Sequence, residues 1–268
     1  FKQKTAYEIS TRDWSSDVCS SDLPSSHLQR SSNLGCRISV SGSLEWFFHK
    51  NECGIVVEDD CLPNQEFFFA MTKLLEKFKA EPEIFLLNGS NFLPKELVLK
   101  GNYRSIYPQI WGWATWADRW QNYRLDFQDS EEIINRALDS YNLKLSGLER
   151  FLFKVKWRDV LSRAGQGLID TWDYSLLATM WRTKTRALQI DGNLVLNIGF
   201  FEESTHFRSK PNWAMDSYRE CSDLSENQAK YSIEGDKWLS RNMYGCTPYG
   251  VLKMFVRKVL SWSGLIER

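Results

Sequence analysis

Three acids in a row, Glu58-Asp59-Asp60, close a short apolar run, Gly54-Ile55-Val56-Val57. Adjacent carboxylates repel one another, and a divalent cation is the simplest compensation. Mg²⁺ and Mn²⁺ take oxygen ligands, often one or two carboxylates plus substrate phosphates, and this cluster can supply that share. A solvated acidic turn or a helix N-cap would use the same residues without chemistry. His206, beside Thr205, adds an imidazole, which suits Mn²⁺ as well as softer metals, although a single histidine is more often a surface or packing residue. Asp170 and Asp173 flank Trp172 before an expected helix, where a carboxylate could take a proton from an attacking hydroxyl. Asp is equally a favoured N-cap there.

The elements that must position these side chains follow from apolar spacing. Val40, Leu44, Phe47 and Phe48 predict a helix over 38–50, and the β-branched run at 54–57 has the composition of a buried parallel strand. Phe67, Met71, Leu74, Leu75 and Phe78 form a second helical stripe ending before Pro82, and 84–87 is another strand. This helix, strand, helix, strand order is α/β alternation. Residues 103–107 look extended and lead to the tryptophan-rich run at 111–116. The segment 130–164 has a helical pattern and looks peripheral. A helix is expected over 174–182 with Asp173 as N-cap, then strands at 187–190 and 194–198. The tail, 249–262, has the pattern of a basic amphipathic helix, more often packed than membrane-bound.

The chain has 268 residues, 43% hydrophobic and 25% charged, enough for a substantial core. Its 34 basic and 34 acidic residues balance, so no overall field recruits nucleic acid or an anionic membrane. Cys19, Cys36, Cys53, Cys61, Cys221 and Cys246 show no CxxC spacing and read as reduced thiols. No apolar run approaches the roughly 20 residues of a membrane span, and no signal peptide opens the chain. A cytoplasmic protein, at most peripheral at the inner face of the membrane, is the expectation. Twelve tryptophans suit either sugar stacking or core packing. Residues 13–23, DWSSDVCSSDL, read as the translation of a sequencing-adapter oligonucleotide, so 1–28 is expected to be foreign and disordered. A partial catalytic domain over 29–215 and a C-terminal helical extension over 216–268 complete the expected organisation.

The ordered blocks resemble a family. Asn33-Leu34-Gly35-Cys36-Arg37, the segment 54–63 with Phe67-Phe68, Trp111-Gly112-Trp113-Ala114-Thr115-Trp116, Asp170-Thr171-Trp172-Asp173-Tyr174, Asn197-Ile198-Gly199-Phe200 and Thr205-His206 are similar to blocks of bacterial GT-A glycosyltransferases of the family-2-like kind. More distantly they resemble the N-acetylglucosaminyltransferases that extend N-glycans. The resemblance implies a mostly parallel central sheet flanked by helices, lacking its first strands. It implies a metal-dependent, inverting transfer from a nucleotide-diphosphate sugar to a glycan, lipid-linked or other hydroxyl acceptor. Asp60 would bind Mn²⁺ or Mg²⁺ directly, with His206 at the third motif. Glu58 and Asp59, with Asn33 and Arg37, would meet the donor. Asp173, with Asp170 second, would be the base, and Trp111, Trp113, Trp116 and Trp172 would shape the acceptor pocket. Phe201-Glu202-Glu203 departs from the smaller glycine-containing loop expected before the third motif.

Two other classes fit parts of the pattern. A metal-dependent phosphoesterase or nucleotidyltransferase would also want carboxylates and a histidine, though a two-metal site needs more ligands. A non-catalytic sugar-binding protein, or an inactive fragment, would need only the tryptophans.

Overall fold

The computed structural model describes residues 26–200, 210–222, 224 and 230–262. In chain order the elements are α1 (Gly35–Phe48), β1 (Cys53–Val56), β2 (Cys61–Pro63), α2 (Gln65–Lys77), β3 (Ile84–Asn88), β4 (Tyr103–Ser105) and β5 (Trp113–Trp116). There follow α3 (Ala117–Trp120), α4 (Ser130–Ser140), α5 (Gly147–Gly165), α6 (Asp173–Thr183), β6 (Arg186–Gln189), β7 (Val195–Asn197), β8 (Lys230–Tyr231), α7 (Ile233–Asn242) and α8 (Pro248–Trp262). The expected foreign segment falls almost wholly outside the described residues, as does His206.

Local chemistry sets several boundaries. Asn64 caps α2 through its side chain, which accepts the Phe67 amide at 3.0 Å. Ser146 and Glu149 cap α5 reciprocally. The α2 stripe is buried as its spacing predicts, and Phe67, Met71 and Leu74, fully enclosed, contribute roughly 1.5–3 kcal/mol each.

The main sheet is α/β in its flanking but mixed in its pairing. Its order is β1-β5-β3-β6-β4-β8. The β3–β6 and β4–β8 pairs are parallel and the other three are antiparallel, so the sheet is not mostly parallel as expected. β5 causes the difference, because it returns between β1 and β3 against both. β1 is consequently an antiparallel edge strand, half-buried rather than enclosed. β2 and β7 form a separate two-stranded ladder.

One core lies on each face. α2 closes one with Ile84, Leu87, Ala114, Trp116 and Leu188. The other takes Phe85, Leu86, Trp113 and Ala187 from the sheet. The strand alternation slips within β3 because the register against β6 shifts between Ile84 and Leu86. The second core also contains Ile133, Ile134, Phe153, Trp157 and Leu161. The helices of 130–164 are therefore central to packing, not peripheral. Trp113, Trp116, Trp120, Trp157, Trp172 and Trp181, half of all the tryptophans, are buried, so the aromatic excess largely builds cores. Beyond residue 216 the chain supplies α7 and α8 and also β8, which adds an edge to the sheet.

Candidate functional site

Because β1, β3 and β6 run the same way, their carboxyl ends leave the sheet at one edge. In open α/β sheets that edge is where ligands bind. The acidic turn leaves β1 there, and Trp111 and Gly112 enter β5 beside it. A buried amide network holds the neighbouring loops. Gln189 accepts from the amides of Asn88 at 2.9 Å and Gln109 at 2.7 Å, and Gln109 in turn accepts the Phe92 N–H at 2.7 Å. Scattered Asn and Gln carry no period, so this network has no signature in the sequence.

The acidic turn is tightly placed. The Cys61 amide bonds back to the Glu58 carbonyl at 3.0 Å, and the Ile198 amide donates to the Asp60 carbonyl at 2.8 Å. The β2–β7 ladder, which pairs Cys61 with Asn197, brings Gly199 against Asp60. The Cys61 thiol lies 3.5 Å from Asp60 Oδ1. Glu58 is pushed up to about 8, first by burial and then by the charges of Asp60, Asp173 and Asp59, while a hydrogen bond from the Trp172 side chain pulls it down. Its Oε1 is buried and has no hydrogen-bond partner among the described residues. Asp59 is also raised, by burial and then by Asp60.

Asp173 comes to the same place from α6. It is the first helical residue, not the N-cap; Trp172 holds that position. Asp173 accepts from the Thr171 hydroxyl and, at 2.8 Å, from the Tyr174 amide. Asp170 is held elsewhere. Its two oxygens take the backbone N–H groups of Cys36 at 3.2 Å and Arg37 at 3.0 Å, capping α1 across the fold. Gly35 adopts φ +77°, and a β-carbon there would lie 2.7 Å from the Asp170 carboxylate. Cys36, between the two groups, is pushed up to about 12 by burial and then by Glu58, Asp170 and Asp173.

Other expected contacts separate. Asn33 accepts the Gly35 amide at 2.9 Å. Arg37 points to the Leu125 carbonyl at 3.0 Å and to Asp126 at 2.6 Å, so its guanidinium ties α1 to that loop and does not face the acidic turn. Trp113 and Trp172 are buried and stack at 5.6 Å, and of the two it is the Trp172 side chain that hydrogen-bonds Glu58. Trp116 is placed at the opposite end of β1, opposite Cys53, with its indole donating to the Leu75 carbonyl at 3.1 Å and Arg119 over its ring. It has no face for a sugar. Trp111 is half-buried and clusters with Phe200 at 5.5 Å, Trp213 at 5.5 Å and Phe92 at 4.6 Å. Phe92 and Trp213 were not picked out in the sequence; Trp213, an isolated aromatic in a polar stretch, was the one available signal.

Among the described residues no group of three His, Cys, Asp or Glu side chains is arranged to hold a metal ion. A hard cation that takes most of its ligands from diphosphate and water needs less, and the unpartnered Glu58 oxygen beside Asp60 fits that smaller share. Two surface pockets, lined by Lys95, Lys100, Asp191 and Arg219 and by Phe127, Gln128, Ser162 and Gln166, contain none of the acidic-turn residues. The chain matches no protein-family model and no curated protein sequence.

Proposed function

We propose that the chain is a GT-A-type glycosyltransferase that moves a sugar from a nucleotide-diphosphate donor to a hydroxyl acceptor. The supporting observation is the convergence of Glu58, with its buried unpartnered oxygen, on Asp60 and Asp173 at the carboxyl edge of the sheet. Glu58 and Asp60 would hold Mn²⁺ or Mg²⁺, which when bound supplies positive charge to the departing diphosphate.

The chain's own residues divide the remaining work. Asp60 is fixed by the β2–β7 ladder and by Gly199 behind it. Asp173, fixed by Thr171 and Tyr174, accepts the acceptor hydroxyl's proton as the new C–O bond forms. A single displacement of this kind inverts the anomeric centre. Trp111, Phe200 and Trp213 offer ring faces to the sugar C–H groups of a glycan or lipid-linked acceptor. Asp170, spent on capping α1, has a positioning role at most.

Titrating UDP and GDP into the full chain, with and without Mn²⁺, tests the proposal. One of the two nucleotides should bind only with the metal, and Asp60→Ala should abolish that binding while leaving the circular dichroism spectrum unchanged. A folded chain that binds neither nucleotide in Mn²⁺ would sink the proposal.

A further inference from the structure

The α8 helix rests on the protein by only part of its surface. Val251 is buried and Lys258 pairs with Asp159 of α5, which defines the inward side. Tyr249, Leu252, Phe255, Val256 and Val259 project the other way, between 48% and 74% exposed. At 3.6 residues per turn these five fall within one arc, and Lys253 and Arg257 run along its flank. The helix carries three cations and no acid, although the whole chain is balanced. Among the described residues no helix is long and apolar enough to cross a membrane.

We propose that α8 lies in the plane of an anionic lipid surface, with its apolar arc toward the acyl chains and Lys253 and Arg257 at the headgroup phosphates. An apolar face bordered by cations on an otherwise short helix is the pattern of an interfacial helix. The charge chooses the occupant. A second copy of α8 would bring like charges together along the same flank, whereas anionic headgroups complement them. A packed residue joins the helix to the rest of the molecule: Tyr244, just before α8, is half-buried, stacks on Tyr107 at 4.7 Å and senses the charge of Asp173. Docking of α8 therefore orients the carboxyl edge relative to the bilayer. The proposal does not depend on the transferase assignment, which the nucleotide titration tests separately.

Co-sedimentation of the full chain with vesicles of phosphatidylcholine, alone or mixed with phosphatidylglycerol, decides the matter. The chain should pellet with the anionic vesicles and be released by high salt. Leu252→Asp with Val256→Asp, and separately Lys253→Glu with Arg257→Glu, should each weaken partitioning about tenfold or more. All four positions are exposed, and circular dichroism checks that the variants remain folded. Equal pelleting with neutral vesicles, or none with either, overturns the proposal. So does a lipid-free dimer that the Leu252→Asp, Val256→Asp variant dissociates, because a second copy would then cover the arc.

Discussion

Gly199 lies so close to Asp60 that a β-carbon on it would sit 2.5 Å from the Asp60 Oδ2 and 2.8 Å from its Cβ. The glycine is thus the wall against which the candidate metal-binding carboxylate rests. Gly199→Ala should move that carboxylate by a fraction of an ångström. Because small misplacements of reacting groups cost up to about a hundredfold, metal-dependent nucleotide binding should fall roughly tenfold or more. Titration calorimetry reads the loss, and a melting curve within about 1 °C of the parent would separate it from misfolding.

Asp170 and Asp173 are close in sequence and opposite in expected effect. Asp170→Asn should weaken the cap on α1 and cost about 1 kcal/mol in chemical denaturation, with turnover largely kept. Asp173→Asn should lower kcat about a hundredfold or more while leaving nucleotide affinity nearly unchanged. Steady-state kinetics on both variants checks the division of labour; equal losses of kcat would contradict it.

The tryptophans of one short run should separate in the same way. Trp116→Ala removes a buried ring with its own hydrogen bond and should cost about 3–5 kcal/mol, seen as a lower denaturation midpoint. Trp111→Ala, at the half-exposed aromatic cluster, should cost less stability and raise the acceptor KM instead.

Asp236 makes folding depend on pH. Its carboxyl is fully enclosed and pushed up to about 7 by burial, against hydrogen bonds from Ser105 and Ile106 and the charge of Arg186. A folded-state value above the unfolded one means the folded chain keeps a proton that the unfolded chain has released above about pH 4. Its stabilising effect is complete below that value and is lost as pH rises through about 7. The melting temperature should therefore fall between roughly pH 4 and pH 7 and level off above that. Asp236→Asn, which keeps a neutral acceptor for Ser105, should flatten that slope.

What could be read in the sequence was local. The α2 stripe and the apolar β3 run stand out because their periods lie within a dozen residues, and both elements formed where expected. The acidic turn was legible because its charges are adjacent. The insertion of β5 between β1 and β3 was not, since its partners are separated from it by long stretches of chain that carry no pairing signal. Asp170 looked like a candidate base because Asp near an expected helix start suits that role. Its actual partners are the amides of Cys36 and Arg37, far back in the chain. Trp111 and Trp116 look alike on the page, and only the sheet distinguishes an edge position from a core.

In the strand order β1-β5-β3-β6-β4-β8 no two neighbours are consecutive in sequence, and the small ladder joins β2 to β7. Among the described residues there is therefore no β-hairpin that could form early and template the rest. On the ribosome, β1 waits for β5, and β3 gains its parallel partner only once Gln189 has been made. At about 5–20 residues per second, the interval from β1 to β6 is on the order of ten seconds. β1 and β3 stay unpaired until β5 emerges, and the other edge of β3 stays open until β6 does, so the nascent chain gains from shielding by chaperones, and refolding from denaturant should be slow and prone to aggregation at high concentration.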